Sequence, residues 1–123
     1  HDLAEARRGE RNLINKIYSG KDNELEIIKK VSGEYQVEDF SFDDLFKEFS
    51  EGETPESKIA QDADILAGML LEKECLDLGN EKASKWLDFS LKRLETEKGK
   101  ELGKMIIEKD SDQWWLDVVN KNL

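Results

Sequence analysis

The stretch TPESKIAQDADIL, from Thr54 to Leu66, opens the longest segment of the chain with helical periodicity. Thr54 is a favourable N-cap, and Pro55 stands at the first helical position, where its missing N–H costs no hydrogen bond. Pro55 is also the only proline in the chain, and the segment can continue to Gly79. Because every other segment with a clear period also repeats near 3.6 residues, the sequence predicts an all-α fold, arranged as a compact helical bundle.

Further helices are predicted on both sides of this segment, several of them with a residue that suits an N-cap or a C-cap. Their expected ranges are about 1–18 with a break near Gly9, about 22–32, Ser41 to Gly52, Asn80 to about 94, Thr96 or Glu97 onward, and Asp112 to about Asn122 with Ser111 as cap. The loops between them are short, which favours antiparallel neighbours within one domain spanning residues 1–123.

Asp64 lies in the most hydrophobic of these helices, beside Ile65 and Leu66. Burying a carboxylate there is costly unless the carboxylate is paired or binds a metal, so Asp64 is a candidate metal ligand. Asp62 is the rival candidate. The two residues are about 200° apart around a helix and cannot easily face one ion, and the simplest expectation for Asp62 is a solvated side chain.

The chain begins with His1-Asp2, and His1 is its only histidine. Imidazole is a common nitrogen ligand for divalent metals near neutral pH. On a regular helix Glu5 would share a face with both residues, bringing together three groups able to bind or orient a cation and its water. The alternative is an ordinary helix start, where acidic residues favour the helix dipole without any ligand.

Composition limits the classes of partner. The chain carries 29 acidic and 19 basic residues and a net charge of −10, which would repel a nucleic-acid polymer over most of the surface. No apolar run approaches the ~20 residues of a membrane span, so no membrane partner is expected. Cys75 is the only cysteine and cannot form an internal disulfide, which fits a half-buried helix residue in a cytoplasmic protein.

His1-Asp2-Leu3-Ala4-Glu5 and the stretch from Thr54 to Leu66 together resemble the HD-domain superfamily of metal-dependent phosphohydrolases, and especially its 5'-deoxynucleotidase-like branch. The resemblance implies that His1, Asp2 and Asp64 bind one divalent metal ion and that Glu5 activates or positions the attacking water. It places Glu10 where close relatives often carry an Asp near the sugar, so Glu10 is a candidate substrate-binding residue.

The same resemblance implies a phosphomonoesterase acting on a small phosphorylated molecule, with nucleoside or deoxynucleoside 5'-monophosphates as the favoured substrates, and it allows a homodimer. The metal could be Mn, Co, Fe, Ni, Zn or Mg. The first metal-binding His and a phosphate-contacting Arg of the family would lie upstream of residue 1. We therefore expect residues 1–123 to form the C-terminal portion of the domain. The alternatives are hydrolysis of a guanosine polyphosphate or cyclic nucleotide, and a non-catalytic acidic interaction domain.

Three other features of the sequence could have a functional role, but a structural interpretation of each is simpler. Arg7 and Arg8 are candidate phosphate contacts, but at least one of these neighbours is expected to be a solvated charge. Trp114 and Trp115 are expected to pack in the core rather than stack on a base. The Lys- and Glu-rich stretch 92–104 is expected to be a solvated face with ion pairs along a helix.

Overall fold

The computed structural model describes residues 1–19, 24–35 and 40–123, and within these ranges all regular structure is helical. A 3-10 helix, Asp2–Ala4, precedes eight α-helices. The α-helices are α1 Glu5–Arg8, α2 Leu13–Tyr18, α3 Glu24–Glu34, α4 Phe42–Glu51, α5 Pro55–Asp77, α6 Ala83–Arg93, α7 Glu97–Glu108 and α8 Gln113–Asn122. The predicted all-α class is therefore confirmed.

Most helix limits follow from local capping interactions. The Ser41 hydroxyl accepts the N–H of Asp44 at the start of α4, and Gly52 ends that helix in a left-handed conformation with φ 66°. The Thr54 hydroxyl accepts the N–H of Ser57 at 3.1 Å, which fixes the first turn of α5. The Thr96 hydroxyl does the same for the N–H of Gly99 at 2.9 Å, so Thr96, rather than Glu97, caps α7.

The chain divides into two compact units, His1–Ser57 and Lys58–Leu123. In the first unit α3 packs against α4 and against the 3-10 helix, burying Ala4, Ile28 and Val31. A hydrogen bond of 3.1 Å from the Ser32 hydroxyl to Asp43 links α3 to α4. This packing holds the N-terminal residues against two helices.

The second unit is built around the buried residues Met69, Leu87 and Leu94, supplied by α5, α6 and the residue that ends α6. Partly buried apolar side chains surround them; these are Ile65, Leu66, Leu76, Leu91, Ile106 and Ile107. Gly103 lets α7 approach closely, since a Cβ there would lie 2.7 Å from Leu94 Cδ1 and 2.9 Å from Leu91 Cδ1. Cys75 is half-buried, as expected.

Two regions differ from the sequence-based expectation. The first predicted helix is broken as foreseen at Gly9, where φ is 82°, but its first turn is a 3-10 turn and not α-helical. The expectation that Trp114 and Trp115 pack in the core is wrong, because they are 68% and 52% exposed and α8 contains no buried residue. Among the described residues, no helix is long and apolar enough to cross a membrane.

Candidate metal and phosphate site

His1 and Asp2 lie together at the start of the first unit. The Nε2 atom of His1 is 2.9 Å from Oδ1 of Asp2, and both residues are exposed. The imidazole ring stacks on the ring of Phe49, with a centroid distance of 4.5 Å and an interplanar angle of 9°. Phe49 therefore restricts the orientation of the imidazole, a contribution from α4 that no pattern in the sequence indicated.

Glu5 follows at the first position of α1 and is only partly exposed. Its Oε1 atom lies 3.6 Å from the Arg8 guanidinium and 3.9 Å from the Lys16 ammonium. Two cations thus face this carboxylate. The sequence could have suggested Arg8, three residues along the same helix, but not Lys16, which comes from α2.

Arg7 and Arg8 each form an ion pair in the first unit. Arg7 contacts Glu34, at the end of α3, and Arg8 contacts Glu24, at its beginning. Arg8 is also the less exposed of the two, at 12% of its side chain. Both guanidinium groups therefore link α1 to α3 through ion pairs. Arg7, with 51% of its side chain exposed, is also the solvated charge expected of at least one of the two.

Glu10 lies just after the break at Gly9 and is exposed. Gly9 adopts a backbone conformation that other residues rarely adopt, so the chain direction changes between Glu5 and Glu10. The structure thus places Glu10 outside the helix that carries Glu5, on a segment accessible to a ligand.

The burial of the two aspartates on α5 is the reverse of the expectation. Asp64 is exposed, whereas Asp62 is 3% exposed and hydrogen-bonded. The Asp62 carboxylate accepts the N–H of Glu95 at 2.8 Å and the N–H and hydroxyl of Thr96 at 2.9 and 2.5 Å. The expectations of a buried Asp64 and a solvated Asp62 are therefore both wrong, because the face of α5 turned to the core includes Asp62, Ile65, Leu66 and Met69.

The hydrogen bonds of Asp62 also set its charge state. Burial raises the pKa of this carboxyl, but the hydrogen bonds from Thr96 and the Glu95 amide, with the positive charge of Lys100, outweigh burial. The pKa of Asp62 is therefore lowered from its ordinary value of 3.8. Asp62 is an ionised structural cap for the start of α7, and its lone pairs are directed at backbone and hydroxyl donors of the same unit.

A family model for the HD domain matches residues 1–106 of the chain. The chain belongs to the HD-domain family. The match covers the whole first unit and residues 58–106 of the second, and it extends beyond the two stretches that resemble the family in sequence. Comparisons with curated proteins and with solved structures gave no match.

HD-domain proteins are typically hydrolases that bind divalent metals. In this HD-domain chain, no cluster of three or more His, Cys, Asp or Glu side chains is assembled among residues 1–19, 24–35 and 40–123. The donors nevertheless have suitable chemistry, since the imidazole of His1 and the carboxylate of Asp2 form a mixed nitrogen and oxygen pair, exposed and 2.9 Å apart. Asp64 offers a further exposed carboxylate.

Proposed function

We propose that this HD-domain protein is a metal-dependent phosphomonoesterase that acts on nucleoside or deoxynucleoside 5'-monophosphates. The observation that supports the proposal most directly is the His1–Asp2 pair, with Nε2 and Oδ1 2.9 Å apart, followed one turn later by Glu5. The pair is the sequence feature from which the HD domain takes its name, and the family match begins at it. The choice of nucleotides rests on the resemblance to the 5'-deoxynucleotidase-like branch.

In this proposal His1, Asp2 and Asp64 bind one divalent ion. When bound, such an ion polarises a phosphoryl oxygen and lowers the pKa of water. Phe49 holds the His1 imidazole in one plane by stacking, so the ring loses less conformational freedom when it binds. Imidazole and carboxylate donors together suit Mn, Co, Fe, Ni or Zn better than an oxygen-preferring cation such as Ca.

Glu5 acts as the general base or as the group that orients the attacking water. Its carboxylate is partly sheltered, and Arg8 and Lys16 face it at 3.6 and 3.9 Å. These two cations restrict the position of the Glu5 carboxylate, which in this proposal accepts a proton from water during attack on phosphorus. Glu10, exposed beyond the Gly9 break, contacts the sugar of the substrate.

A small phosphorylated molecule also fits the charge of the chain. The net charge of −10 disfavours a nucleic-acid polymer, whose many phosphates would meet acidic surface. A mononucleotide carries only one phosphate group, and a single bound cation can compensate for it locally.

The test is a substrate panel assayed with each candidate metal. The panel contains ribo- and deoxyribonucleoside 5'-monophosphates, 3'-monophosphates, a guanosine polyphosphate and cyclic nucleotides. We expect phosphate release from 5'-monophosphates that depends on added metal and is abolished in Asp2→Asn, which is nearly isosteric. Preferential hydrolysis of the polyphosphate or the cyclic nucleotides would move the protein to another HD-domain activity. No hydrolysis of any substrate by a folded, metal-loaded protein would overturn the proposal and favour a non-catalytic interaction domain.

A further inference from the structure

One face of α6 combines cations with exposed aromatic rings. Residues spaced three and four apart lie on the same side of a helix, and this spacing groups six side chains of and beside α6. This basic-aromatic face consists of Lys82, Lys85, Trp86, Phe89, Lys92 and Arg93. The opposite side of the helix carries the buried residues Ala83, Leu87 and Ser90, so the basic-aromatic face points away from the core of its unit.

The two aromatic side chains are large and exposed. Trp86 is 45% exposed and Phe89 is 54% exposed, although they are neighbours on one helix. The only group stacked on them within the described residues is Arg93, whose Cζ lies 5.7 Å from the centre of the Phe89 ring. A partner that covers this exposed pair would gain solvation free energy by removing its apolar surface from water.

The lysines of the face are not held in ion pairs by neighbouring carboxylates. Within the part of the chain that the structure describes, Lys82, Lys85 and Lys92 form no ion pair. Glu81 and Asp88 are the acidic residues nearest in helical phase, and both lie at the flank of the face. Four positive charges are thus concentrated on one side of α6 in a chain whose net charge is −10.

These properties define the chemistry of the partner. It must be anionic to match the four cations, and it must accept two aromatic rings. A symmetric contact between two copies of this face is excluded, because it would bring like charges together. A nucleic-acid strand fits poorly, because the face spans only about 17 Å, it is convex, and the surface beyond it is more acidic than the chain as a whole.

We infer that the basic-aromatic face of α6 binds the surface of a lipid bilayer that contains anionic lipids. Trp86 and Phe89 lie among the headgroups and upper acyl chains, where aromatic residues partition favourably. Lys82 and Lys85 before them and Lys92 and Arg93 after them contact lipid phosphates. The absence of a long apolar run, from which no membrane partner is expected, concerns a segment that spans the bilayer and not a contact with its surface. The net charge of the chain averages over this local concentration of cations, and charges beyond a Debye length of about 8 Å are screened.

The experiment measures binding of the whole chain to vesicles at physiological salt. Vesicles of phosphatidylcholine alone are compared with vesicles that contain 30 mol% phosphatidylglycerol, by sedimentation. We expect binding only to the anionic vesicles, and we expect Lys85→Ala with Lys92→Ala to weaken it by about 30-fold, at about 1 kcal/mol for each lysine. The matched control is Lys98→Ala with Lys104→Ala, which removes the same charge from α7 and is expected to leave binding unchanged.

Tryptophan fluorescence reports where the contact lies. The chain has three tryptophans, so Trp114→Phe with Trp115→Phe leaves Trp86 as the only one. We expect its emission to shift to shorter wavelength on adding anionic vesicles, and not neutral ones. Equal binding to both vesicle types, equal loss in the control variant, or an unshifted Trp86 spectrum would each overturn the inference. So would binding of a 12-nucleotide single strand without vesicle binding. The result is independent of phosphatase activity, since none of the changed residues belongs to the proposed site.

Discussion

Asp62 on α5 accepts two hydrogen bonds from Thr96, the residue that caps α7, through the backbone N–H at 2.9 Å and the hydroxyl at 2.5 Å. A third hydrogen bond, from the N–H of Glu95, completes the arrangement at 2.8 Å. One carboxylate thus supplies acceptors for two backbone amides in the turn between α6 and α7. The same Thr96 hydroxyl accepts the N–H of Gly99, so Asp62 fixes the residue that starts α7.

The first prediction concerns the stability that this arrangement supplies. Asp62→Ala leaves two backbone N–H groups without acceptors in a site that is 3% exposed in the native protein, and should lower the free energy of unfolding by about 2–3 kcal/mol. Asp64→Ala is the matched control, two residues away on the exposed side, with an expected change within about 0.5 kcal/mol. Urea unfolding followed by circular dichroism measures both. Equal losses would contradict a structural role specific to Asp62.

The second prediction is the pH dependence of that contribution. The pKa of Asp62 is lowered in the folded protein, so its stabilising effect is present above the ordinary value of 3.8 and is lost as the pH falls through the folded-state value. The Asn side chain of the Asp62→Asn variant cannot titrate. The loss of unfolding free energy in this variant, relative to the wild type, should therefore be largest near neutral pH and should shrink below pH 3.8. Thermal melting between pH 7 and pH 2 tests this, and a deficit that stays constant with pH would contradict it.

Asp62 and Asp64 also show what the sequence could and could not predict. The helix that carries them was predicted correctly, because Thr54 and Pro55 act locally at its start. The rotation of this helix about its own axis was not predicted, because the burial of each side chain depends on which side of α5 is covered by α6 and α7. The positions of Leu66 and Met69 contained the missing signal, since Asp62 lies four and seven residues before them and shares their face.

A third prediction uses two helical glycines with opposite surroundings. A Cβ at Gly99 would lie 2.2 Å from Oδ2 of Asp62. Three hydrogen bonds hold the Asp62 carboxylate in place. Gly99→Ala should therefore destabilise the protein by about 1–3 kcal/mol. A Cβ at Gly68, inside α5, meets no atom within 4 Å, so Gly68→Ala should stabilise it by about 0.5–1 kcal/mol. Midpoints of urea unfolding should move in opposite directions, and destabilisation by both substitutions would contradict this account.

Local signals explain which other features were predictable. Ser41, Gly52 and Thr96 act through hydrogen bonds or backbone conformation within a few residues. Ser41 and Thr96 each begin a helix and Gly52 ends one, as the sequence indicated. For Trp114 and Trp115 the sequence predicts core packing, because large aromatic side chains dominate the packing of protein cores. Their exposure depends on what packs against α8, and no pattern within a ten-residue helix contains that information.

The fourth prediction separates the two aspartates by function. If Asp64 binds the metal, Asp64→Ala should lower metal content and abolish metal-dependent phosphatase activity while stability is preserved. Asp62→Ala should lower stability and yet retain bound metal in the folded fraction. Metal analysis of folded protein after gel filtration, beside the activity assay, distinguishes the variants. Loss of metal in Asp62→Ala alone would transfer the ligand role to Asp62, against the hydrogen bonds that it makes to Thr96.

The last prediction concerns Glu5 and its neighbour in sequence, Glu10. Glu5→Gln keeps the size of the side chain but removes its charge and its ability to accept a proton, so kcat should fall by about 10²–10⁴ with the metal still bound. Glu10→Gln, on the exposed segment after Gly9, should instead raise KM for nucleotides and change kcat little. Steady-state kinetics with metal analysis tests both.

Loss of metal in Glu5→Gln would make Glu5 a ligand rather than a base. Because Arg8 and Lys16 would then face each other without their shared carboxylate, an unfolding measurement must accompany the assay, and only a folded variant with low kcat supports the catalytic role.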